Sequence, residues 1–549
     1  MRVSVPATSL LAVSGLPGVG FVRKPYRPHP LATISEGAAR IGALANHGAG
    51  VTGHGVKVAV IDGGFRGADR LPEDMPESWR VRDFTGEGIY AGDEHRRHRH
   101  GTACAEIVYD VAPEAELYLL KVDDLVDLEN AKDLCIREGI DVISHSAGWL
   151  GTGFGDGRGL ACDIANDAAD NGILWVNAAG NAAGSHYTGL WSDRDSDGWH
   201  NFADEDDDEL LNVRAAAGDS IQVILTWDDF PSTAEDYNLH LFFIDASDST
   251  DLVGESTTVQ DGDGSDPVEW IKYIVERSGE YGISVSKADG ARPERLKIWS
   301  YYQDFEEHAV ARNSIGMPAD AKGAMAVGAV FHRFWNRGLV EAYSSRGPTT
   351  DGRIKPELAA PTGVSTVSYG RLNLRRGGGY FGTSASAPHV AGAAALVKSA
   401  NPSFSRTRLW NALVDATVDT GTRGKDNDSG HGKLVLPVQA PSPQITAVTP
   451  GRVRYHQIAA ALGDPFPTPF NAGVTVPFTT ADPGQVRISV FNLMGQQVRV
   501  LHDGWTGAGA HQARWDGRTE TGAEAASGIY RALLEAGEIA QSTRLVLIR

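Results

Sequence analysis

Short apolar segments alternate with longer helical stretches over residues 31–190, and this alternation constrains the fold more than any other sequence feature. Strands joined through helical crossovers pair in parallel, so the pattern predicts a parallel sheet with helices on its faces. The predicted helices cover residues 126–139 and 159–171. The predicted strands are VKVAVI (56–61), ELYLLKV (116–122), DVISHS (141–146) and ILWVNAA (173–179).

A different pattern begins near residue 191, where apolar residues alternate with polar ones at every second position. This alternation continues to residue 312 and predicts an antiparallel β-sandwich. The α/β pattern then resumes with a strand at 324–330 and a helix of small residues near 385–400. The predicted sandwich is therefore inserted into the α/β domain. One face of one of its strands carries Ile221, Val223, Leu225 and Trp227.

A second β-rich region with Gly-rich turns closes the chain and predicts a C-terminal β-sandwich. A chain of 549 residues exceeds what one hydrophobic core usually holds, so several domains are expected. Their predicted order is an N-terminal extension (1–30), the first part of the α/β domain (31–190), the inserted sandwich (191–312), the second part of the α/β domain (313–435), and a linker with the C-terminal sandwich (436–549).

Composition excludes several classes of protein. The chain has 70 Asp and Glu against 50 Lys and Arg, a formal charge of −20, which argues against binding to nucleic acid. No run of 18 apolar residues occurs, so no transmembrane segment is expected. Three cysteines cannot form a disulfide framework.

Two segments place polar groups where catalysis is expected. Asp62 follows the first predicted strand, at the carboxyl edge where ligands bind in open α/β sheets. His100 opens HGTACAEIV, a transition from extended chain to helix. Taken alone, such an Asp more often caps a turn and such a His lies in a solvated loop. A metal cluster of His95, His98 and His100 is an alternative that lacks matching carboxylate or thiolate spacing.

Two further segments supply a hydroxyl and an amide. Ser384 lies in GTSASAPH at the start of a helix, where free N–H groups face developing negative charge. Asn181 ends VNAAGN after another strand, and its side-chain N–H group suits an oxyanion. The alternatives are a helix-capping serine and a turn asparagine. The chain order Asp, His, Ser is one of the known orders of serine hydrolases.

The motifs VAVIDGG, HGTACAEI, AAGN and GTSASAPHVAG together resemble those of the subtilases, over about residues 35–190 and 313–435. The resemblance implies a subtilisin-like fold and a catalytic triad of Asp62, His100 and Ser384. It also implies an oxyanion hole completed by Asn181. The segment Ser146, Ala147 and Gly148 resembles the edge that pairs with the substrate backbone. The expected partners are protein or peptide substrates, and the expected location is secreted or cell-surface, of a bacterial type.

The sequence departs from this family at two positions and resembles a subset of it at a third. Glu106 and Thr362 each stand where the family usually has Gly. Cys104, one helical turn after His100, is similar to the free cysteine of thiol-containing subtilases. We interpret Cys104 as a small buried hydrophobic residue.

The accessory regions carry resemblances of their own. Residues 16–30 are similar to the end of a subtilase propeptide, with a poor signal peptide over 3–22 as the alternative. The inserted sandwich contains ILTWDDF followed by DYNLHLFF, and with these segments it resembles a prepeptidase-type domain. The C-terminal region contains PTPFN (467–471) and VFNLMGQQVRVL, and with these segments it resembles immunoglobulin-like domains related to flagellar hook-capping proteins and type IX sorting domains. Attachment to a cell surface or secretion machinery and simple stabilisation are both open as its role.

A calcium loop is predicted at 193–204. Its candidate ligands have the spacing of EF-hand and dockerin-like loops, with a Gly at the sixth position. An acidic linker is the alternative. The candidate ligands are Asp193, Asp195, Asp197, the Trp199 carbonyl, Asn201 and Asp204.

Three functions remain in competition. The first is a serine endopeptidase that acts through an acyl-enzyme. The second is a catalytically silent subtilase fold that serves as a binding or adhesion protein. The third is an esterase that uses the same site.

Overall fold

The protein is described by a computed structural model that covers residues 33–440 and 460–548. Short gaps within these limits fall at 72–73, 77–78, 92–96, 204–207, 263, 289–290, 375–377, 464, 469, 481–483, 493–495, 508 and 537–538. The predicted N-terminal extension and most of the predicted linker lie outside the described residues.

The described residues of the first part of the α/β domain contain five strands and five helices. The four predicted strands and the two predicted helices are among them, each within one residue of its predicted limits. Most of these strands are buried along their length, because helices cover both faces of the sheet. The strands are β1 (Lys57–Asp62), β2 (Arg80–Asp83), β3 (Glu116–Lys121), β4 (Val142–His145) and β5 (Leu174–Ala178), and the helices are α1 (Glu36–Arg40), α2 (Ala43–Gly48), α3 (Arg97–Val111), α4 (Leu125–Glu138) and α5 (Leu160–Asp170).

The inserted region is a sandwich of two four-stranded antiparallel sheets around one shared core. The strands Leu211–Ala215 and Tyr237–Ile244 alternate between buried and more exposed side chains, as the period-2 pattern predicts. The strands Ser220–Trp227 and Gly279–Lys287 are instead buried over five consecutive residues each. The strands are β6 (His186–Leu190), β7 (Leu211–Ala215), β8 (Ser220–Trp227), β9 (Tyr237–Ile244), β10 (Thr250–Ser256), β11 (Val268–Ile274), β12 (Gly279–Lys287) and β13 (Arg295–Ser300). Their orders are β10-β9-β12-β7 and β11-β8-β13-β6.

The sandwich begins earlier than predicted. Strand β6 pairs with β13 and not with the parallel sheet, so the predicted limit at residue 190 is one strand too late. The reason is that β6 acquires its partner from a segment about 100 residues further along the chain. No local pattern marks such a pairing.

The α/β domain resumes with strand β14, which pairs in parallel with β5 and so closes the gap left by the insertion. The remaining elements are β14 (Ala324–Phe331), β15 (Leu358–Thr362), α6 (Thr383–Ala400), α7 (Arg406–Asp415), β16 (Thr417–Val418) and β17 (Lys433–Leu434). The order is β16-β17-β15-β14-β5-β4-β1-β3-β2, and every described pair except β16 with β17 is parallel. This confirms the predicted α/β class.

The two faces of this sheet bury separate cores. Along β1, Val58 and Val60 contribute to one core, whereas Ala59 and Ile61 contribute to the other. Helices α3 and α6 cover the first face, and α4 and α5 cover the second. The small residues of α6 let it lie close to α3 and to the sheet. Its first turn is thereby held near one edge of the sheet.

The C-terminal region, as predicted, is built of antiparallel sheets. A three-stranded sheet and a four-stranded sheet pack on one core, to which the first contributes Val476 and Trp515 and the second contributes Val490. No helix in the described part of the chain is long and apolar enough to cross a lipid bilayer. The strands are β18 (Ala460–Leu462), β19 (Val474–Thr480), β20 (Gly484–Asn492), β21 (Gln497–Thr506), β22 (Gly509–Trp515), β23 (Gly528–Ala536) and β24 (Ile539–Leu547).

Candidate active site

The predicted site residues follow three neighbouring strands of the parallel sheet. Asp62 is the last residue of β1, Ser146 follows the end of β4, and Asn181 lies three residues beyond β5. These strands are adjacent in the order β5-β4-β1 and run in the same direction. Their carboxyl ends therefore meet at one edge of the sheet, where open α/β folds bind ligands.

Asp62 and His100 are joined by a direct hydrogen bond. One Asp62 carboxylate oxygen lies 2.7 Å from Nδ1 of His100, and the Asp62 side chain is only 4% exposed. Helix α3 can approach β1 this closely because the residue after His100 is glycine. A Cβ on Gly101 would lie 2.7 Å from the Asp62 Cβ atom. The bond to Nδ1 leaves Nε2 as the nitrogen that can exchange a proton with another group.

The Asp62 carboxylate controls the charge of the His100 ring. Burial lowers the pKa of His100, but the negative charge and hydrogen bond of Asp62 outweigh it, so the pKa lies above its usual value of 6.5. His100 is therefore a stronger base than a free histidine. Asp62 also holds the ring with Nδ1 as the donor.

Ser384 is the second residue of α6, as its motif predicts, and its side chain is largely buried. Its hydroxyl donates to the Ser146 carbonyl oxygen at 3.2 Å. In return, the Ser146 hydroxyl donates to the Ser384 carbonyl oxygen at 3.2 Å. The start of α6 is thus attached to the chain that leaves β4. The free N–H groups of its first turn favour negative charge there.

Asn181 is connected to the same turn through Thr383. Its Oδ1 atom accepts hydrogen bonds from the Thr383 amide at 2.9 Å and from the Thr383 hydroxyl at 3.0 Å. Gly382 has a φ of +104°, and a Cβ there would lie 3.1 Å from Asn181 Nδ2. Thr383 thus fixes the orientation of the Asn181 side-chain amide through its Oδ1 atom, and this orientation also fixes the position of the donor atom Nδ2. Thr383 was not among the residues predicted from sequence.

Tyr380 and Cys104 connect the Asp62–His100 pair to the start of α6. The Tyr380 ring meets the His100 ring edge-on with centroids 5.6 Å apart, and its hydroxyl lies 3.2 Å from Cys104 Sγ. Cys104 Sγ in turn lies 3.6 Å from the Ser384 carbonyl oxygen. Burial and the nearby Asp62 charge raise the pKa of the Cys104 thiol. A protonated, fully buried thiol agrees with the interpretation of Cys104 as a small hydrophobic residue.

The predicted substrate edge lies beside this cluster. Ser146 is buried against Ser384, Ala147 is half-buried and Gly148 is exposed. The exposed end leaves backbone groups within reach of an extended peptide. Of the alternative histidine cluster, His95 lies outside the described residues. His98 belongs to neither of the two groups of possible metal ligands found in the described part of the chain.

Both departures from the family pattern have defined contacts. The Glu106 carboxylate accepts hydrogen bonds from the Val367 amide at 2.5 Å and the Ser368 amide at 3.1 Å, and so holds the loop that follows β15. Burial raises the pKa of Glu106 to about 7. The Thr362 hydroxyl donates to the Gly382 carbonyl oxygen at 3.0 Å, two residues before Ser384.

The predicted calcium ligands are only partly brought together. Carboxylate oxygens of Asp193, Asp195 and Asp197 all lie within 4.8 Å of one another, in the loop between β6 and β7. Asn201 is buried, and its Oδ1 atom accepts a hydrogen bond from the Arg194 amide at 2.8 Å. Trp199 packs against the His240 ring at 4.9 Å. Asp204 lies outside the described residues.

The comparisons with known families, curated proteins and solved structures agree with one another. The sequence model described as "Subtilase family" matches residues 53–222 and 251–432, more than half of the chain. The minor extracellular protease Vpr of Bacillus subtilis (strain 168) is 25% identical over 497 residues, which cover 77% of this chain and 56% of Vpr. Subtilisin E of the same strain is 31% identical over 185 residues, which cover 31% of this chain and 46% of that protein.

The chain therefore spans about half the length of these curated relatives. Among solved structures, the CspB protease of Clostridium perfringens aligns with a TM-score of 0.49 and 18% identity. That alignment covers 72% of this chain and 94% of the CspB chain.

Proposed function

The chain belongs to the subtilase family, and on this basis we propose that it is a serine endopeptidase with Asp62, His100 and Ser384 as its triad. The observation that carries the proposal is the 2.7 Å hydrogen bond between Asp62 and His100. It lies at the sheet edge where Ser384 and Asn181 also lie. The substrates of the proposed endopeptidase are proteins or peptides, whose backbone binds along Ser146, Ala147 and Gly148.

In the proposed mechanism, rotation about χ1 turns the Ser384 hydroxyl from the Ser146 carbonyl toward Nε2 of His100. His100 takes the hydroxyl proton as Ser384 attacks the peptide carbonyl, and Asp62 stabilises the resulting imidazolium. The Asn181 Nδ2 group and the Ser384 amide donate to the oxyanion. His100 then gives its proton to the leaving amine. Water then attacks the acyl-enzyme while His100 takes a proton from it, and His100 returns this proton to Ser384 as the acid product leaves.

Two experiments separate this function from its alternatives. A fluorophosphonate probe labels an activated serine, so labelling of Ser384 excludes the silent binding protein. Turnover of a peptide amide and of the matching ester then separates the endopeptidase from the esterase. The proposal fails if purified protein neither reacts with the probe nor cleaves casein, or if it cleaves only the ester.

We expect kcat/KM to fall on acidification, because His100 must be neutral to accept the serine proton. Asp62 raises the pKa of His100, so the inflection should lie above pH 6.5. A pH series with a peptide substrate measures it. As a control, the residual activity of Asp62→Asn should inflect at lower pH, since the stabilising charge is gone. A profile that is flat from pH 8 to pH 4 would contradict a histidine base.

We further propose that the loop at 193–201 holds a structural calcium ion. Three adjacent carboxylates favour a hard cation that takes oxygen ligands. A linker without a cation would leave their charges to repel one another.

EDTA should therefore lower the melting temperature by a few degrees, and added Ca²⁺ should restore it, because an ion that binds only the folded state stabilises that state. The double variant Asp193→Ala, Asp197→Ala should no longer respond to either treatment. Asp245→Ala, in another loop of the same sandwich, should respond as the wild type does. Titration calorimetry with Ca²⁺ tests the same point. If the wild type binds no Ca²⁺, or if the double variant binds it equally well, the loop is an acidic linker instead.

The relative Vpr is named an extracellular protease, and we propose secretion or surface location for this chain as well. The C-terminal sandwich, which has its own core, is the proposed attachment module. Fractionation of cells that produce the full chain, beside cells that produce residues 1–440, tests this proposal. Identical distribution of the two would favour a purely stabilising module.

A further inference from the structure

The Gly180 amide donates to the Thr383 hydroxyl at 3.1 Å. The chain around Asn181 is also held by one short stretch, residues 343–345. Both sides of Asn181 are bonded to it, so the position of the Asn181 amide depends on this stretch. The bonds run from the Ser345 amide to the Gly180 carbonyl (2.9 Å), from the Ala182 amide to the Ser345 hydroxyl (3.0 Å) and from the Ala183 amide to the Tyr343 carbonyl (3.1 Å).

The Tyr343 side chain reaches the other half of the oxyanion hole. Its phenol oxygen accepts a hydrogen bond from the Gly382 amide at 3.1 Å and lies 3.2 Å from the Thr362 hydroxyl. Thr362 donates its own proton to the Gly382 carbonyl at 3.0 Å, so the phenol must donate to Thr362. The three groups form a closed ring in which every hydroxyl proton has an acceptor. We call this ring the Tyr343–Thr362 brace.

We propose that the Tyr343–Thr362 brace sets the spacing between the two oxyanion donors, the Asn181 amide and the Ser384 backbone N–H. Tyr343 holds the Asn181 chain through its backbone and the start of α6 through its phenol. Tyr343 and Thr362 are thus positioning residues, since they act through Gly382. The inference rests on the proposed peptidase function.

The surroundings make the brace stiff. Thr362 is fully buried in β15, and Gly382, which contacts both Thr362 and Asn181, has a φ of +104° that favours glycine. Burial raises the pKa of Tyr343 to about 12, so the phenol keeps its donor proton at neutral pH. Any shift of Gly382 moves Thr383 and Ser384 relative to Asn181. A shift of a few tenths of an ångström matters, because oxyanion donors act only at hydrogen-bond distance.

The brace also gives a role to a sequence departure. Thr362 stands where the family usually has Gly, and a glycine offers no hydroxyl to the phenol or to Gly382. The ring is built from residues at three separate places in the sequence.

Tyr343→Phe and Thr362→Val each remove one hydroxyl and little else. Each should lower kcat roughly tenfold and leave KM unchanged, because one neutral hydrogen bond is lost from the transition-state geometry. The rate of reaction with a fluorophosphonate probe should fall in parallel, since its phosphoryl oxygen uses the same donors. The double variant should be little worse than either single variant. Thr362→Ser should retain wild-type kcat.

Tyr118→Phe is the matched control. Tyr118 is a buried tyrosine of the same sheet, and its phenol donates to Glu116 and lies away from the site. This variant should leave kcat unchanged. The brace is refuted if Tyr343→Phe lowers the melting temperature but not kcat, or if it raises KM alone. A wild-type protein that cleaves no peptide and takes up no probe refutes the proposed function itself. An active wild type with unaffected variants refutes only the brace.

Discussion

Replacing Ser384 with alanine should reduce kcat for peptide hydrolysis by roughly 10⁶-fold, because the attacking atom is removed while the rest of the site stays in place. Residual catalysis of roughly 10³–10⁴ over water should survive, since the oxyanion donors and the substrate edge remain. Labelling by a fluorophosphonate should be lost completely. Turnover of casein and of a peptide amide, with probe labelling, measures the effect.

Ser386→Ala is the matched control for this variant. Ser386 lies on the same helix two residues further on, is fully buried, and donates to the Pro361 carbonyl at 3.2 Å. It should keep wild-type turnover. Equal melting temperatures of Ser384→Ala and the wild type would show that the loss is chemical. If Ser384→Ala retained wild-type turnover on casein, another nucleophile would have to be sought.

Replacing Asn181 with alanine should lower kcat roughly 10²- to 10³-fold with little change in KM, because a preorganised donor acts on the transition state more than on the bound substrate. Steady-state kinetics on a peptide amide measure both constants. Asn171→Ala, an exposed asparagine at the end of α5, is the control and should have no effect.

Asn181 also anchors Thr383, so a second variant is needed to separate its two roles. Asn181→Asp keeps an oxygen for the Thr383 amide and hydroxyl but replaces the Nδ2 donor with another oxygen. A loss at least as large as that of the alanine variant would assign the effect to the donor. Near-normal kcat in Asn181→Asp would assign it to the anchor. A rise in KM with unchanged kcat would move Asn181 from chemistry to substrate binding.

Local patterns were sufficient for five strands of the parallel sheet, namely β1, β3, β4, β5 and β14, but they did not predict β2, β15, β16 and β17. The predicted strands at 56–61 and 173–179 differ by one residue at each end from β1 and β5, because continuous apolar runs that are buried on both faces are distinctive. The small-residue helix near 385–400 corresponds to α6 for the same reason. Strand β6 was missed, since HYTGL shows neither an apolar run nor clear alternation. Its place depends on a partner about 100 residues away.

The sequence by itself determined the residue types of the site and the strands and helices that carry them, because Asp62, His100, Asn181 and Ser384 each lie in a short motif whose chemistry is local. Only the tertiary structure decided how these motifs are connected. Thr383 bonds to Asn181, Tyr380 bridges His100 and Cys104, and Tyr343 and Thr362 both bond to Gly382. Hydrogen bonds of this kind act over about 3 Å and join residues up to 276 positions apart in the chain. The packing of helices and strands brings such residues together, and no pattern within one segment indicates which of them will meet.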